Sequence, residues 1–203
     1  MTPTFRSFPS LLGVATLLLT SACNRGTTAA AAGGVGADSA SATASGTAMV
    51  DHLGRELEDL GGKMVQLAEA MPESSYAWAP MDGVRSVGAV FAHVAADNYF
   101  VPALLGMPVE GTGVTTESGI KGYEDARGSK AEIVAELKRS FDVMRDAMAA
   151  SRLAPDKPVM LRSNAITQGD LWVRAIVHLH EHLGQAIAYA RANKVVPPWS
   201  AAT

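Results

Sequence analysis

The sequence contains a single cysteine in 203 residues, which excludes a framework of intrachain disulfides. It also lacks a strong charge of either sign, because 17 Lys and Arg stand against 20 Asp and Glu. No nucleic-acid partner is therefore expected. Aromatic residues are only 6%, and no internal repeat is visible, which argues against a solenoid. The hydrophobic share of 48% is that of a globular chain.

The N-terminus has the pattern of an export signal. An apolar run from Leu11 to Leu19 is shorter than the roughly 20 residues that span a bilayer, and it has the length of a signal-peptide core. Small residues and then Cys23 follow. This order resembles a bacterial lipoprotein signal, which implies a signal peptide over residues 1–22, lipidation of Cys23 and a membrane anchor in the cell envelope, on the periplasmic or cell-surface side. An ordinary secretory signal is the alternative.

A change of composition divides the rest of the chain. Residues 23–48 are mostly Ala, Gly, Ser and Thr with few charges, which predicts a flexible linker after the lipidated cysteine. Apolar periodicity begins at Met49. Residues 49–203 are therefore expected to form the functional domain, and they are numerous enough to bury a core.

The domain shows the periodicity of long amphipathic helices and no convincing alternation of period two. Ser86 is a good N-cap, and Ser129 and Thr167 each precede an acidic residue by three positions, as in a capping box. Four long helices predict an all-α four-helix bundle. The connection over residues 106–128 is long enough to hold a short helix, a lid or a crossover. The helices are expected over residues 50–70, 86–105, 129–151 and 167–193.

Histidines carry the clearest chemical pattern. His178 and His182 are four residues apart and share one helix face, whereas His180 points elsewhere. Two imidazoles on one face can bind one divalent ion, and a bundle site takes further ligands from a facing helix. His93, placed mid-helix among apolar residues, is the natural third ligand. Histidines that are only packed or hydrogen-bonded are the alternative. His52, at the start of the first helix, is expected to be exposed.

Carboxylates near these histidines are candidate catalytic groups. Asp97 follows His93 by four residues, and Glu181 lies between the other two histidines. Gln185 is a further candidate helper. Spacing alone does not select a base among them, and each is equally interpretable as a solvated or hydrogen-bonding side chain.

The chain resembles the DinB/YfiT-like metalloenzyme superfamily over residues 50–200. The resemblance implies a four-helix bundle and one divalent metal ion on His93, His178 and His182. Zinc is the first expectation, with nickel or iron as alternatives, because imidazole suits all three. Several relatives are thiol-dependent transferases. The segments that carry the resemblance are Arg85-Ser86-Val87-Gly88, Ala92-His93-Val94-Ala95, His178-Leu179-His180-Glu181-His182-Leu183-Gly184-Gln185 and Val196-Pro197-Pro198-Trp199-Ser200.

Three functions remain open from the sequence. The first is a metal-dependent hydrolase or thiol transferase that acts on an unknown small molecule. Export disfavours thiol transfer, since low-molecular-weight thiols are abundant in the cytosol. The second is a membrane-tethered bundle that binds a metal or ligand without turnover. The third is a structural lipoprotein. An open coordination position beside a pocket would favour the first, and a fourth protein ligand would favour a structural metal. A homodimer is left open, because related bundles are often dimers.

Overall fold

A computed structural model describes residues 35–126 and 128–200 of the chain. The predicted signal peptide and the lipidation site at Cys23 lie outside these residues. Two single turns of 3-10 helix, Glu73–Ser75 and Pro198–Ser200, accompany the main elements. In chain order these are α1 (Val35–Ala70), α2 (Val87–Leu104), α3 (Glu117–Asp125), α4 (Lys130–Ser151), β1 (Pro158–Leu161), β2 (Asn164–Thr167) and α5 (Gln168–Ala192).

The four long helices form a ring. Helices α1 and α2 each pack against both α4 and α5, and the short α3 packs on α2. Each long helix turns an apolar stripe toward the common centre, where Trp172 and Tyr99 are fully buried. The predicted all-α four-helix bundle is confirmed, with α3 as an addition to it.

Ion pairs at two levels show that α1 and α4 run antiparallel. Asp51, near the start of the shared interface, binds Arg152 at the end of α4, with 2.7 Å between Oδ2 and Nη2. Glu69, at the end of α1, lies 2.6 Å from Lys138 in the first half of α4. Because the early residues of one helix meet the late residues of the other, the two chain directions are opposed.

Helices α2 and α4, in contrast, run parallel. Gly88 lies beside Ile133 near both helix starts, and Asn98 donates a hydrogen bond to Ser140 further along both. Parallel neighbours cannot be joined by a tight hairpin, so the chain needs a long crossover between them. Residues 105–129 provide it and contain α3, which agrees with the predicted short helix and crossover.

The predicted N-caps are present. The Ser86 hydroxyl accepts a hydrogen bond from the Ala89 backbone, and capping boxes open α4 at Ser129 and α5 at Thr167. These caps satisfy backbone N–H groups that have no partner inside the helix. Helix α2 is long and apolar enough to cross a membrane, yet 72% of it is buried inside the bundle, which is typical of a core helix.

The structure differs from the sequence prediction in two segments. Helix α1 begins at Val35, so residues 35–48 of the expected flexible linker are helical. Their alanines have high helix propensity and extend a helix that is already held by packing. The structure also contains a short antiparallel hairpin of β1 and β2, which the sequence did not predict. Four-residue strands are too short for alternation to be recognised, and only Val159 of β1 is buried.

Candidate metal centre

Four side chains from two helices meet between α2 and α5. His93 and Asp97 are four residues apart on α2, and His178 and His182 are four apart on α5. One ligand atom from each of the four lies within 4.8 Å of the others. The two helices run antiparallel here, since the earlier residue of each pair lies beside the later residue of the other. Each pair occupies one helix face because four residues make slightly more than one turn.

The Nε2 nitrogens of the histidines point into this cluster. His93 Nε2 is 3.0 Å from Asp97 Oδ2, and His178 Nε2 is 2.7 Å from the same oxygen. His182 Nε2 lies 3.1 Å from His178 Nε2. A tetrahedral zinc site with bonds of about 2.0–2.1 Å separates its ligand atoms by about 3.3 Å. The observed spacing is therefore close to that of a single metal ion's ligands.

The Nδ1 nitrogens point outward to polar partners. His93 Nδ1 is 2.6 Å from Glu124 Oε1, and His182 Nδ1 is 3.1 Å from Gln185 Oε1. Both partner oxygens are acceptors, so these two imidazoles carry their hydrogen on Nδ1. A hydrogen bond from the outer nitrogen fixes the ring and leaves the inner nitrogen free to bind metal.

If His93 and His182 are both neutral, electron pairs face each other at the centre. With Nδ1 protonated, the Nε2 lone pair of His93 meets the Asp97 carboxylate, and that of His182 meets His178. Such contacts repel unless a proton or a cation lies between them. Protons can relieve these contacts one at a time, since an imidazolium donates from both nitrogens. A divalent cation would satisfy all four groups, and the donor set fits zinc, nickel or iron.

The surroundings of His178 and His182 shift their pKa values in opposite directions. The hydrogen bond to Asp97 raises the pKa of His178. Burial lowers the pKa of His182 to about 4, and the charges of His178 and His93 lower it further in the same direction. His182 is therefore neutral at neutral pH, which is the form that binds a metal.

Glu124 contacts the cluster and was not among the residues that the sequence pointed to. It lies on α3, in the crossover, and only 7% of its side chain is exposed. It accepts from His93 and also receives two hydrogen bonds from Arg85, at 3.0 and 3.1 Å. Glu124 is 31 residues from His93 and lies in an irregular connection, so no regular spacing along the sequence predicts their contact. Arg85 lies in a segment that carried the family resemblance, but that segment does not predict its pairing with Glu124.

The remaining predicted residues lie around the cluster or away from it. His180 points elsewhere, as expected, and its Nδ1 is 3.0 Å from the Ile176 carbonyl. The His52 side chain is 61% exposed. Glu181 is 70% exposed, and its Oε2 lies 3.6 Å from His178 Nδ1. Glu181 is thus at the edge of the site, whereas Asp97 is inside it.

A cavity of about 610 Å³ opens beside the cluster. His93, Asp97 and His178 form part of its wall, so the site is accessible from this side. Apolar side chains of α2 and α5, such as Phe100 and Val177, cover much of the remainder. A cavity of this size whose wall is mostly apolar by area is typical of a small-molecule site.

A family model described as the DinB superfamily matches residues 56–186 of the chain. The matched range includes all four residues of the cluster as well as Glu124. A comparison with curated proteins finds no match.

Proposed function

This chain belongs to the DinB superfamily, and we propose that it binds one divalent metal ion and uses it as a hydrolase or transferase acting on a small molecule. His93, His178 and His182 are the proposed ligands. The observation that carries the proposal is the convergence of three inward Nε2 nitrogens and the Asp97 carboxylate on one point. Zinc is the expected ion, with nickel or iron as alternatives, since three imidazoles suit each of them.

The chain's own residues supply the surroundings that such chemistry needs. When bound, a divalent ion on neutral imidazoles lowers the pKa of a water or thiol and so provides a nucleophile at neutral pH. Asp97 faces both the cluster and the cavity, where its carboxylate can hold a proton taken from a bound reactant. Glu181 at the cavity edge is a weaker candidate for the proton acceptor, because 70% of its side chain is exposed to solvent.

Asp97 also supports a second candidate function, a metal-binding bundle without turnover. Its Oδ2 lies within 3.0 Å of two histidine Nε2 atoms, so it can act as a fourth ligand. Four protein ligands close a tetrahedral site, as in structural zinc centres. The adjoining cavity favours the catalytic function, because a purely structural site gains nothing from an opening of this size.

Metal content tests the binding proposal directly. The full chain without tag histidines is purified and its metals are counted by elemental mass spectrometry. We expect about one zinc, nickel or iron per chain, lost in His93→Ala, His178→Ala and His182→Ala. His180→Ala is the matched control, because His180 lies on the same helix outside the cluster. A folded wild type that stays metal-free after reloading would refute the proposal.

A second measurement separates the two candidate functions. The chain is loaded with Co²⁺ and titrated with azide, while the visible spectrum is followed. A spectral change that saturates with azide is expected for a site with an open position. A spectrum that does not respond would indicate a closed site and favour metal binding without turnover.

We also propose that the protein is exported and held at a membrane through Cys23. The support is the sequence pattern alone. Radiolabelled palmitate should be incorporated into the wild type and not into Cys23→Ser, and equal labelling of the two would refute the anchor.

A further inference from the structure

The cavity beside the cluster has an apolar body and charged residues at its margin. Phe100, Val101 and Leu104 of α2 face it from one side, and Val173 and Val177 of α5 from the other. Such a lining favours a ligand with an apolar body of several carbon atoms.

Among the residues that the structure describes, four cations line the cavity, and carboxylates engage three of them. Arg85 binds Glu124 with two hydrogen bonds. Arg162 lies 2.5 Å from Glu117. Lys121 forms an ion pair with its neighbour one turn later, Asp125. These charges are matched within the protein and need no ligand.

Arg174 is the exception among the cavity-lining residues that the structure describes. It forms no ion pair with any described carboxylate. The pKa of Asp170, one turn away, is lowered mainly by its hydrogen bonds with Thr167 and to a smaller extent by the charge of Arg174. The Asp170 carboxylate is engaged in the capping box with Thr167. Arg174 is an exposed residue at the cavity wall, and its guanidinium is available to a ligand there.

The position of Arg174 relates it to the metal centre. It precedes His178 by four residues on α5, so both lie on one helix face, about 6 Å apart along the axis. A ligand whose reactive end lies at the cluster would extend over Val177 and Val173 and bring its far end to the guanidinium.

We propose that this cavity binds an organic carboxylate, with its apolar chain along α2 and α5 and its carboxylate on Arg174. The inference rests on the proposed function, because the other end of the ligand is expected at the metal. A guanidinium holds a carboxylate by two parallel hydrogen bonds. Glu181 also lines the cavity, and its negative charge favours a monoanion over a doubly charged phosphate.

Two matched probes test this inference on the full chain loaded with Zn²⁺. 6-Mercaptohexanoate and 6-mercapto-1-hexanol share the thiol, which zinc binds, and the six-carbon chain, and they differ in the carboxylate. Their affinities are measured by calorimetry. We expect the carboxylate probe to bind about tenfold more tightly, which corresponds to one charge-assisted pair at a partly solvated site. Arg174→Met should reduce this preference to about twofold or less, and Arg174→Lys should keep part of it.

Arg191→Met is the control, since Arg191 is an exposed arginine in the last turn of α5 and does not line the cavity. It should leave the preference unchanged. Equal affinity of the two probes in the wild type would overturn the inference, as would a preference that survives Arg174→Met. Metal content is measured on the same samples. Absence of metal would overturn the proposed function and this inference together, whereas bound metal without a carboxylate preference would overturn this inference alone.

Discussion

Each imidazole of the cluster has its two nitrogens in different surroundings. The outer nitrogen of His93 donates to Glu124, and the outer nitrogen of the neutral His182 donates to Gln185, which leaves a lone pair on the inner nitrogen of His182. The direction of these rings is thus set by Glu124 and Gln185 rather than by the metal itself. Prepared ligands bind a metal more tightly, because less rotational freedom is lost on binding.

Removal of the Glu124 carboxylate should therefore weaken metal binding without removing a ligand. We expect Glu124→Ala to raise the zinc dissociation constant by about 10–100-fold, since His93 loses the acceptor that orients it. Competition with a chromogenic chelator measures the constant.

The control for this prediction is Asp125→Ala, one residue further along α3. Asp125 is 62% exposed and pairs only with the exposed Lys121 among the described residues. The zinc affinity of the Asp125→Ala variant should equal that of the wild type. The same loss in both variants would mean that α3 acts by general stability and not through the bond to His93.

At the scale of elements, α1 shows how a helix accommodates its neighbour. Its predicted apolar stripe is largely buried: Leu53 is partly buried, and the fully buried members are Val50, Leu57, Leu60, Met64 and Leu67. Gly61 and Gly62 lie inside α1, away from its ends, where glycine is costly. A Cβ at Gly61 would lie 2.9 Å from the Phe141 ring of α4, whereas nothing lies within 4 Å of one at Gly62. Only the first glycine is needed for helix packing.

The two glycines should respond oppositely to the same change. Gly61→Ala should lower the free energy of unfolding by about 1–3 kcal/mol, because the buried Phe141 ring cannot move away without strain. Gly62→Ala should raise it by about 0.5–1 kcal/mol through better helix propensity. Urea unfolding followed by circular dichroism gives both values. Stabilisation by both substitutions would show that α1 and α4 are less closely packed than described.

At the scale of the whole molecule, the proposed metal would join distant parts of the chain. The ligands come from α2 and α5, which are separated in sequence by the crossover, α4 and the β-hairpin. A metal that binds only the folded chain stabilises it, by about 2.7 kcal/mol when the free ion is at a hundred times its dissociation constant.

Zinc should therefore raise the melting temperature of the metal-free chain by about 5–10 °C at that concentration. Differential scanning calorimetry with and without zinc measures the shift. His182→Ala should abolish it, and His180→Ala should keep it. A shift of equal size in both variants would place the bound zinc elsewhere on the protein.

The sequence by itself determined the relations that act within one helix. The stripes, the caps at Ser86, Ser129 and Thr167, and the common face of His178 and His182 follow from a helical period of 3.6 residues. These relations depend only on neighbours along the chain. For this reason the four-helix bundle and the histidine pair were predictable.

The tertiary structure alone decided what the helices bring together. The entry of Asp97 into the cluster, the bond from Glu124 to His93 and the cavity beside them depend on helix orientation and on the course of the crossover. The start of α1 at Val35 and the short β-hairpin were likewise decided by the tertiary structure. Distances between helices result from the packing of many side chains at once, and no spacing along the sequence encodes them.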